Sequence, residues 1–289
     1  MEDEPIVESV RRFPTPPLRS LIAWYSGYQQ TGLEPATHRG LPSPYLTLII
    51  TLGDPLTVAA HPDPKQPPGQ YDTLVGGLHT RPALITHQGH QCGIQLALSP
   101  LGARALLGLP AGELAGIDLD AADVLGPLAP SLWERMQRVT TWRERFGTLD
   151  EMLLRQVRLD LTPPAEVAEA WRLLVTSGGA VSVGALARRV GWSTRHLDER
   201  FRTEIGLGPK AAARVVRFDR ARRLLQRRAG VDGSPTLADL AATSGYYDQA
   251  HLAREFRDLA GCPPSRWVAE ELRNVQAATL SDVPESMHE

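Results

Sequence analysis

An internal repeat in the last third of the chain constrains the fold most. Val183–Pro209 reads VGALARRVGWSTRHLDERFRTEIGLGP, and Leu237–Pro264 reads LADLAATSGYYDQAHLAREFRDLAGCPP. Leu186, Ala187 and Gly191 recur as Leu240, Ala241 and Gly245 at an offset of 54. From His196 onward the offset is 55, so His196-Leu197, Phe201-Arg202, Gly206 and Pro209 recur as His251-Leu252, Phe256-Arg257, Gly261 and Pro264. One extra residue in the second turn accounts for the change. Self-similarity of this kind encodes one supersecondary unit twice.

Each copy predicts helix, tight turn, helix. Ser182 and Thr236 can cap the first helices, the latter with Asp239 three residues on. Gly191 and Gly245 stop those helices, because a left-handed residue costs glycine little. Ser193 and Asp248 can cap the second helices. There Leu197 with Phe201, and Leu252 with Phe256, stand four apart and form a buried stripe. The opposite face is thereby fixed: Arg195, Asp198, Glu199 and Arg202 in the first copy; Gln249 or Ala250, His251, Arg254 and Arg257 in the second. A polar helix braced in this way can enter a DNA major groove. The plainer alternative is a pair of αα-hairpins whose charged face is merely solvated.

The joining stretch, Ala211–Ala229, predicts a long helix. Val215, Val216, Phe218, Ala221, Leu224 and Leu225 form its apolar side, and its basic side includes Arg214, Arg217, Arg220, Arg222, Arg223, Arg227 and Arg228. About 18 helical residues span roughly 27 Å. Such a rod suits two reading helices placed in successive major grooves, roughly 34 Å apart.

Charge supports this division. The formal net charge is −2, yet Trp171–Arg273 holds 18 basic and 11 acidic side chains while the remainder holds 13 and 22. An acidic front part carries a basic back part. At 42% apolar residues there is material for packed cores. The longest strongly apolar stretch, LTLIITL (Leu46–Leu52), is far below the roughly 18 residues of a membrane span. The start, MEDEPIVESV, lacks the regions of a signal peptide, so the expected compartment is the cytoplasm, with nucleoid association. Cys92 and Cys262 form no metal-binding or disulfide pattern.

The front part reads as short strands at Tyr45–Leu52, Leu56–Ala60, Tyr71–Val75, Ala83–His87 and Cys92–Leu98, separated by Pro- and Gly-rich turns. Their spacing predicts a small antiparallel barrel or sandwich. After Ser99 the periodicity turns helical, over Leu101–Leu109, Leu128–Trp142, Leu149–Leu159 and Ala165–Val175. Leu132, Met136, Val139, Leu149, Leu153 and Leu154 offer apolar stripes that can cover the barrel or the back domain, or support a homodimer. His38, His79 and His87 are the candidate effector contacts. His87-x-x-His90 could belong to a metal site, but Gly89 makes a turn between them, and no metal or cofactor is expected.

At these residues the back part resembles the DNA-binding domain of the AraC/XylS family of bacterial transcription regulators. GWSTRHLDERFRTEIGLGP is similar to the family's first unit, RARRLL (Arg220–Leu225) to the end of its linker helix, and GYYDQAHLAREFRDLAGCPPSRW (Gly245–Trp267) to its signature in the second. The front part resembles, more loosely, the cupin-like sensor domains attached to many members. The resemblance implies an α+β chain. Residues 1–165 form a small antiparallel β-barrel, cupin-like, with flanking helices. Residues 166–274 form an all-α domain of two helix-turn-helix units joined by a long helix, and 275–289 a flexible tail. It implies base-facing positions at Arg195, Asp198, Glu199, Gln249, Ala250, His251 and Arg254, and phosphate contacts at Arg202, Arg257, Arg217 and Arg227. The partners it implies are a double-stranded DNA operator, a small-molecule effector, and RNA polymerase where the protein activates. Asp198 and Glu199 are unexpected, since carboxylates repel phosphate; Glu199 can instead orient Arg195 or Arg202. The rival reading is a cupin-type metalloenzyme, with a metal at His79, His87 and His90 and the back domain as a targeting module. A methyl-accepting repair protein would need an activated cysteine, which neither Cys92 nor Cys262 provides.

Overall fold

The computed structural model describes residues 6–228 and 236–271. The proposed tail at 275–289 lies outside these residues. Among the described residues the front part holds ten strands: β1 (Ile6–Arg12), β2 (Ile22–Thr31), β3 (Ala36–Gly40), β4 (Leu46–Thr51), β5 (Leu56–Ala60), β6 (Gly69–Tyr71), β7 (Thr73–Gly76), β8 (Ala83–His87), β9 (Gln91–Leu98) and β10 (Asp118–Asp120). They form two antiparallel sheets, ordered β1-β2-β9-β4-β7-β10 and β3-β8-β5-β6. An α+β chain with strands in front and helices behind is the result.

The five strands expected from the sequence correspond to β4, β5, β7, β8 and β9. β2 was not expected, because its IAWYSGYQQT lacks alternation: it is buried on both faces along most of its length. It runs beside β9 from Ile22↔Leu98 to Gln30↔Gln91. Gly27 is required there, because a Cβ would overlap the Trp142 ring laid across the strand.

Helices follow: α1 (Ala103–Leu107), α2 (Ala121–Leu125), α3 (Leu128–Arg138), α4 (Trp142–Gln156) and α5 (Ala165–Thr176). The single helix expected over Leu128–Trp142 is broken. Thr141 begins a new one through a capping box with Glu144, each side chain meeting the other's backbone N–H. Leu132, Met136, Leu149 and Leu153 lie in the same core as Ile22, Leu48, Ile94 and Leu96, so these stripes cover the larger sheet. Asp150 of α4 accepts bonds from Tyr25 Oη, the Thr15 N–H and Arg12 Nη2, each at 3.0 Å, tying that helix to the first strands.

The back part comprises α6 (Val183–Arg189), α7 (Thr194–Ile205), α8 (Pro209–Arg228), α9 (Leu237–Thr243), α10 (Gln249–Ala260) and α11 (Pro264–Glu271). It has two cores. α5, α6, α7 and the first half of α8 pack around Trp171, Leu197 and Phe201; the rest of α8 with α9, α10 and α11 packs around Phe218, Phe256 and Trp267. The first core also takes in Leu78 from the front part. Arg104 of α1 makes a two-bond fork on Glu204 of α7 at 2.8 and 2.9 Å, and Glu204 is only 2% exposed. Beside it the 3-10 turn Ala111–Leu114 lies against the end of α7, where a Cβ on Gly112 would strike the Thr203 carbonyl. Leu41 of the front part packs on the second core, and near it Arg39 of β3 bonds Glu270 of α11 at 2.6 Å.

Candidate nucleic-acid interface

The two repeats fold alike down to single hydrogen bonds. Ser182 accepts from the Ala185 N–H, and Thr236 forms a capping box with Asp239. Gly191 (φ 73°) and Gly245 (φ 78°) take the left-handed turn. The next residues, Trp192 and Tyr246, donate their N–H to Ala187 and Ala241 at 3.0 and 2.9 Å, which closes each first helix in a Schellman motif. Ser193 and Asp248 then accept from the His196 and His251 N–H groups at 3.2 and 2.6 Å. Edge-on ring contacts repeat as well, Trp192 on His196 and Tyr246 on His251.

In α7 and α10 the stripes Leu197/Phe201 and Leu252/Phe256 are buried, so the opposite faces stand in solvent. Arg195, Glu199, Arg202, Gln249, Ala250, Arg254 and Arg257 are exposed, with Asp198 and His251 half-buried. Among the described residues Arg195, Arg254 and Arg257 enter no ion pair. Their guanidinium donors remain available. Arg202 is held by Asp198 at 2.8 Å; Glu199 plays no part in this, and Asp198 is the orienting carboxylate.

The long helix departs from its expected role. Arg217 is mostly buried: it donates to the Gly179 carbonyl at 3.3 Å, faces Glu255 at 3.8 Å and lies over the Tyr246 ring. It ties the two units together, and its guanidinium is engaged inside the domain rather than held out in solvent. Arg214 is engaged by Glu255 and Asp258. Arg222 and Arg223, 1% and 7% exposed, close on Asp219. Burial pushes the Asp219 carboxyl up, but Arg223 and Arg222 outweigh it and hold the group below the usual carboxylate range. They stand three and four residues after Asp219 on the same helix, a spacing also found in this chain's exposed pairs, so it does not by itself mark them as internal. Of the rod's basic side, Arg220 and Arg227 are exposed.

Both parts of the chain wall a cavity whose lining includes His38, His79, Tyr45, Arg222, Arg223 and Trp267. His38 and His79 therefore meet at one site. Of the two, His87 touches only His38, with ring centroids 6.1 Å apart; it lines a separate hollow with His90 and Cys92, and its Nδ1 accepts from the Gly89 N–H at 3.1 Å. His90 is paired with Asp54. The trio His79, His87 and His90 does not converge, and among the described residues no cluster of three or more His, Cys, Asp or Glu could hold a metal.

A helix-turn-helix domain family matches residues 186–270, and this match coincides with the paired units just described. The back part is an AraC-type helix-turn-helix domain. Residues 10–120 match a family whose description is a domain of unknown function. The HTH-type transcriptional regulator Rv1931c of Mycobacterium tuberculosis is 30% identical over 108 residues, covering 37% of this chain and 38% of its own length. The HTH-type transcriptional regulator GlxA of Rhizobium meliloti is 37% identical over 81 residues, or 28% of this chain and 23% of its own. The chain thus spans well under half the length of these curated relatives. The crystal structure of ToxT from Vibrio cholerae shares the fold at 10% identity with a TM-score of 0.50, over 86% of this chain and 98% of that one. In that common arrangement the AraC-type domain follows a strand-rich front part. Among the described residues no helix is long and apolar enough to cross a membrane.

Proposed function

We propose that the chain is a sequence-specific DNA-binding transcription regulator whose front part responds to a small molecule. One observation carries the reading: among the described residues Arg195 and Arg254 stand exposed and without ion pairs on the outward faces of the two repeated helices, while most rod arginines are paired inside. Arg195 and Arg254 each fit a guanine edge, and Gln249 an adenine, through paired hydrogen bonds. Ala250 and His251 line the same groove wall, and Asp198 and Glu199 limit what α7 reads. Arg202, Arg257 and Arg227 meet phosphates, which set register without reading sequence.

The cavity walled by His38, His79 and Arg223 is the effector site in this reading. An occupant there touches both parts of the chain, which links its binding to the placement of the reading helices. DNA and the effector are the partners, with RNA polymerase added if the protein activates and a second copy if it dimerises. The compartment is the cytoplasm, and no enzymatic step is assigned. Selection of duplexes from a random-sequence pool by the full chain tests the reading. Enrichment of a recurrent motif supports it; recovery of sequences no different from the starting pool contradicts it.

A further inference from the structure

Tyr247 is the residue by which the two units differ. Gly191 and Trp192 are followed at once by the cap Ser193, whereas Gly245 and Tyr246 are followed by Tyr247 and only then by the cap Asp248. Tyr246 takes the place of Trp192: it is buried, makes the same backbone bond and packs on the matching histidine. Tyr247 is therefore the inserted residue. Its side chain is 93% exposed, the most exposed large apolar group among the described residues. It is held between two fixed points, the Tyr246 N–H on Ala241 and the Asp248 cap on His251. Outward placement of the ring is thus built into the turn, so binding has only its two side-chain torsions to order.

The chemistry at this end of α10 gives the ring an occupant. Asp248 places its own carboxylate at the positive end of the helix, where the neutral Ser193 stands in the first unit. A phosphate approaching α10 meets that negative charge, so a neutral donor standing outside it is favoured over the helix end itself. We propose that Tyr247 clamps the DNA backbone at the edge of the groove entered by α10, packing its ring on a deoxyribose and donating its hydroxyl to a phosphate oxygen. This rests on the DNA-binding reading above. Tyrosine is among the side chains that serve phosphate and sugar in such interfaces, and contacts of this kind carry no sequence information. Tyr247 is then a positioning residue for Gln249 and Arg254.

The test uses the full chain, a duplex enriched from a random pool by the wild-type protein, and a mixed-sequence duplex of the same length. Tyr247→Ala is expected to weaken binding to both by about tenfold, the scale of one hydrogen bond with a packed ring. Tyr247→Phe is expected to fall between it and the wild type. The slope of log affinity against log salt stays unchanged, because no cation is lost, whereas Arg257→Ala lowers it by about 1. The melting temperature also stays unchanged. Tyr247→Ala within twofold of wild type on both duplexes overturns the clamp while leaving DNA binding in place. Loss confined to the enriched duplex overturns it too, because that marks a base contact. A wild-type chain that enriches nothing and binds neither duplex removes the underlying reading and the clamp with it.

Discussion

Arg254 and Arg257 sit three residues apart on α10, and their roles separate by experiment. Arg254→Ala is expected to lose about 1–3 kcal/mol of discrimination at a single base position, read by competition among duplexes altered one pair at a time. Loss of equal size on every duplex makes Arg254 a phosphate contact instead. On the other side of the chain, Arg104→Ala leaves Glu204 buried without its fork. Stripping a buried charge of its partner costs about 3–5 kcal/mol, less here to the extent that Arg104 is a third exposed, and Arg200 stands 4.0 Å away as a partial substitute. A drop in urea midpoint checks it; an unchanged midpoint shows that this contact contributes nothing. At this scale the exposed faces of α7 and α10 were legible in the sequence, because the Leu–Phe spacing fixed which side of each helix is buried. The roles of Arg217 and Arg223 were not, since each involves residues that folding brings from elsewhere, Gly179 and Glu255 for Arg217 and the front part's Tyr45 for Arg223; nor was that of Arg222, whose partners Asp219 and Gln226 stand at spacings equally common on solvated helix faces.

The long helix α8 is the element whose chemistry departs most from its appearance as a basic rod. Its centre is an Asp219 clasp on Arg222 and Arg223, and Arg223 also lies over the Tyr45 ring. Asp219→Asn is expected to destabilise the protein at neutral pH by about 3–5 kcal/mol, as a buried pair losing one charge does. The sign of the pH dependence follows from the lowered folded pKa of Asp219. Its contribution is complete above the unfolded value of about 3.9 and fades as the pH falls through the folded value. The gap between wild type and Asp219→Asn in urea titrations should therefore narrow below about pH 4; a gap that widens there contradicts the assignment. All four helix caps of the repeat were legible from local chemistry, because a cap is a matter of four consecutive residues. β1, β2 and β3 were not, because strands at a sheet edge or buried on both faces lose the alternation that marks a strand.

Over the whole molecule, the near-neutral charge conceals a basic back part, and much of that basic excess is committed internally through Glu204, Asp219 and Glu255. On the proposed reading the charge offered to a polyanion is that of Arg195, Arg202, Arg227, Arg254 and Arg257, so the salt slope should correspond to a few phosphates rather than to the +7 of the segment. The front part grips both units, through Glu204 in the first and Glu270 in the second, so their mutual placement is set by α8 and by that grip together. The central claim is that two like units read one duplex side by side. A hydroxyl-radical footprint of the full chain on a duplex enriched from a random pool tests it most directly. The account predicts two protected patches on the same face, about one helical turn or 10 base pairs apart, the nearer to α10 being lost first in Arg254→Ala. A single patch, or protection no stronger than on mixed-sequence DNA, contradicts it.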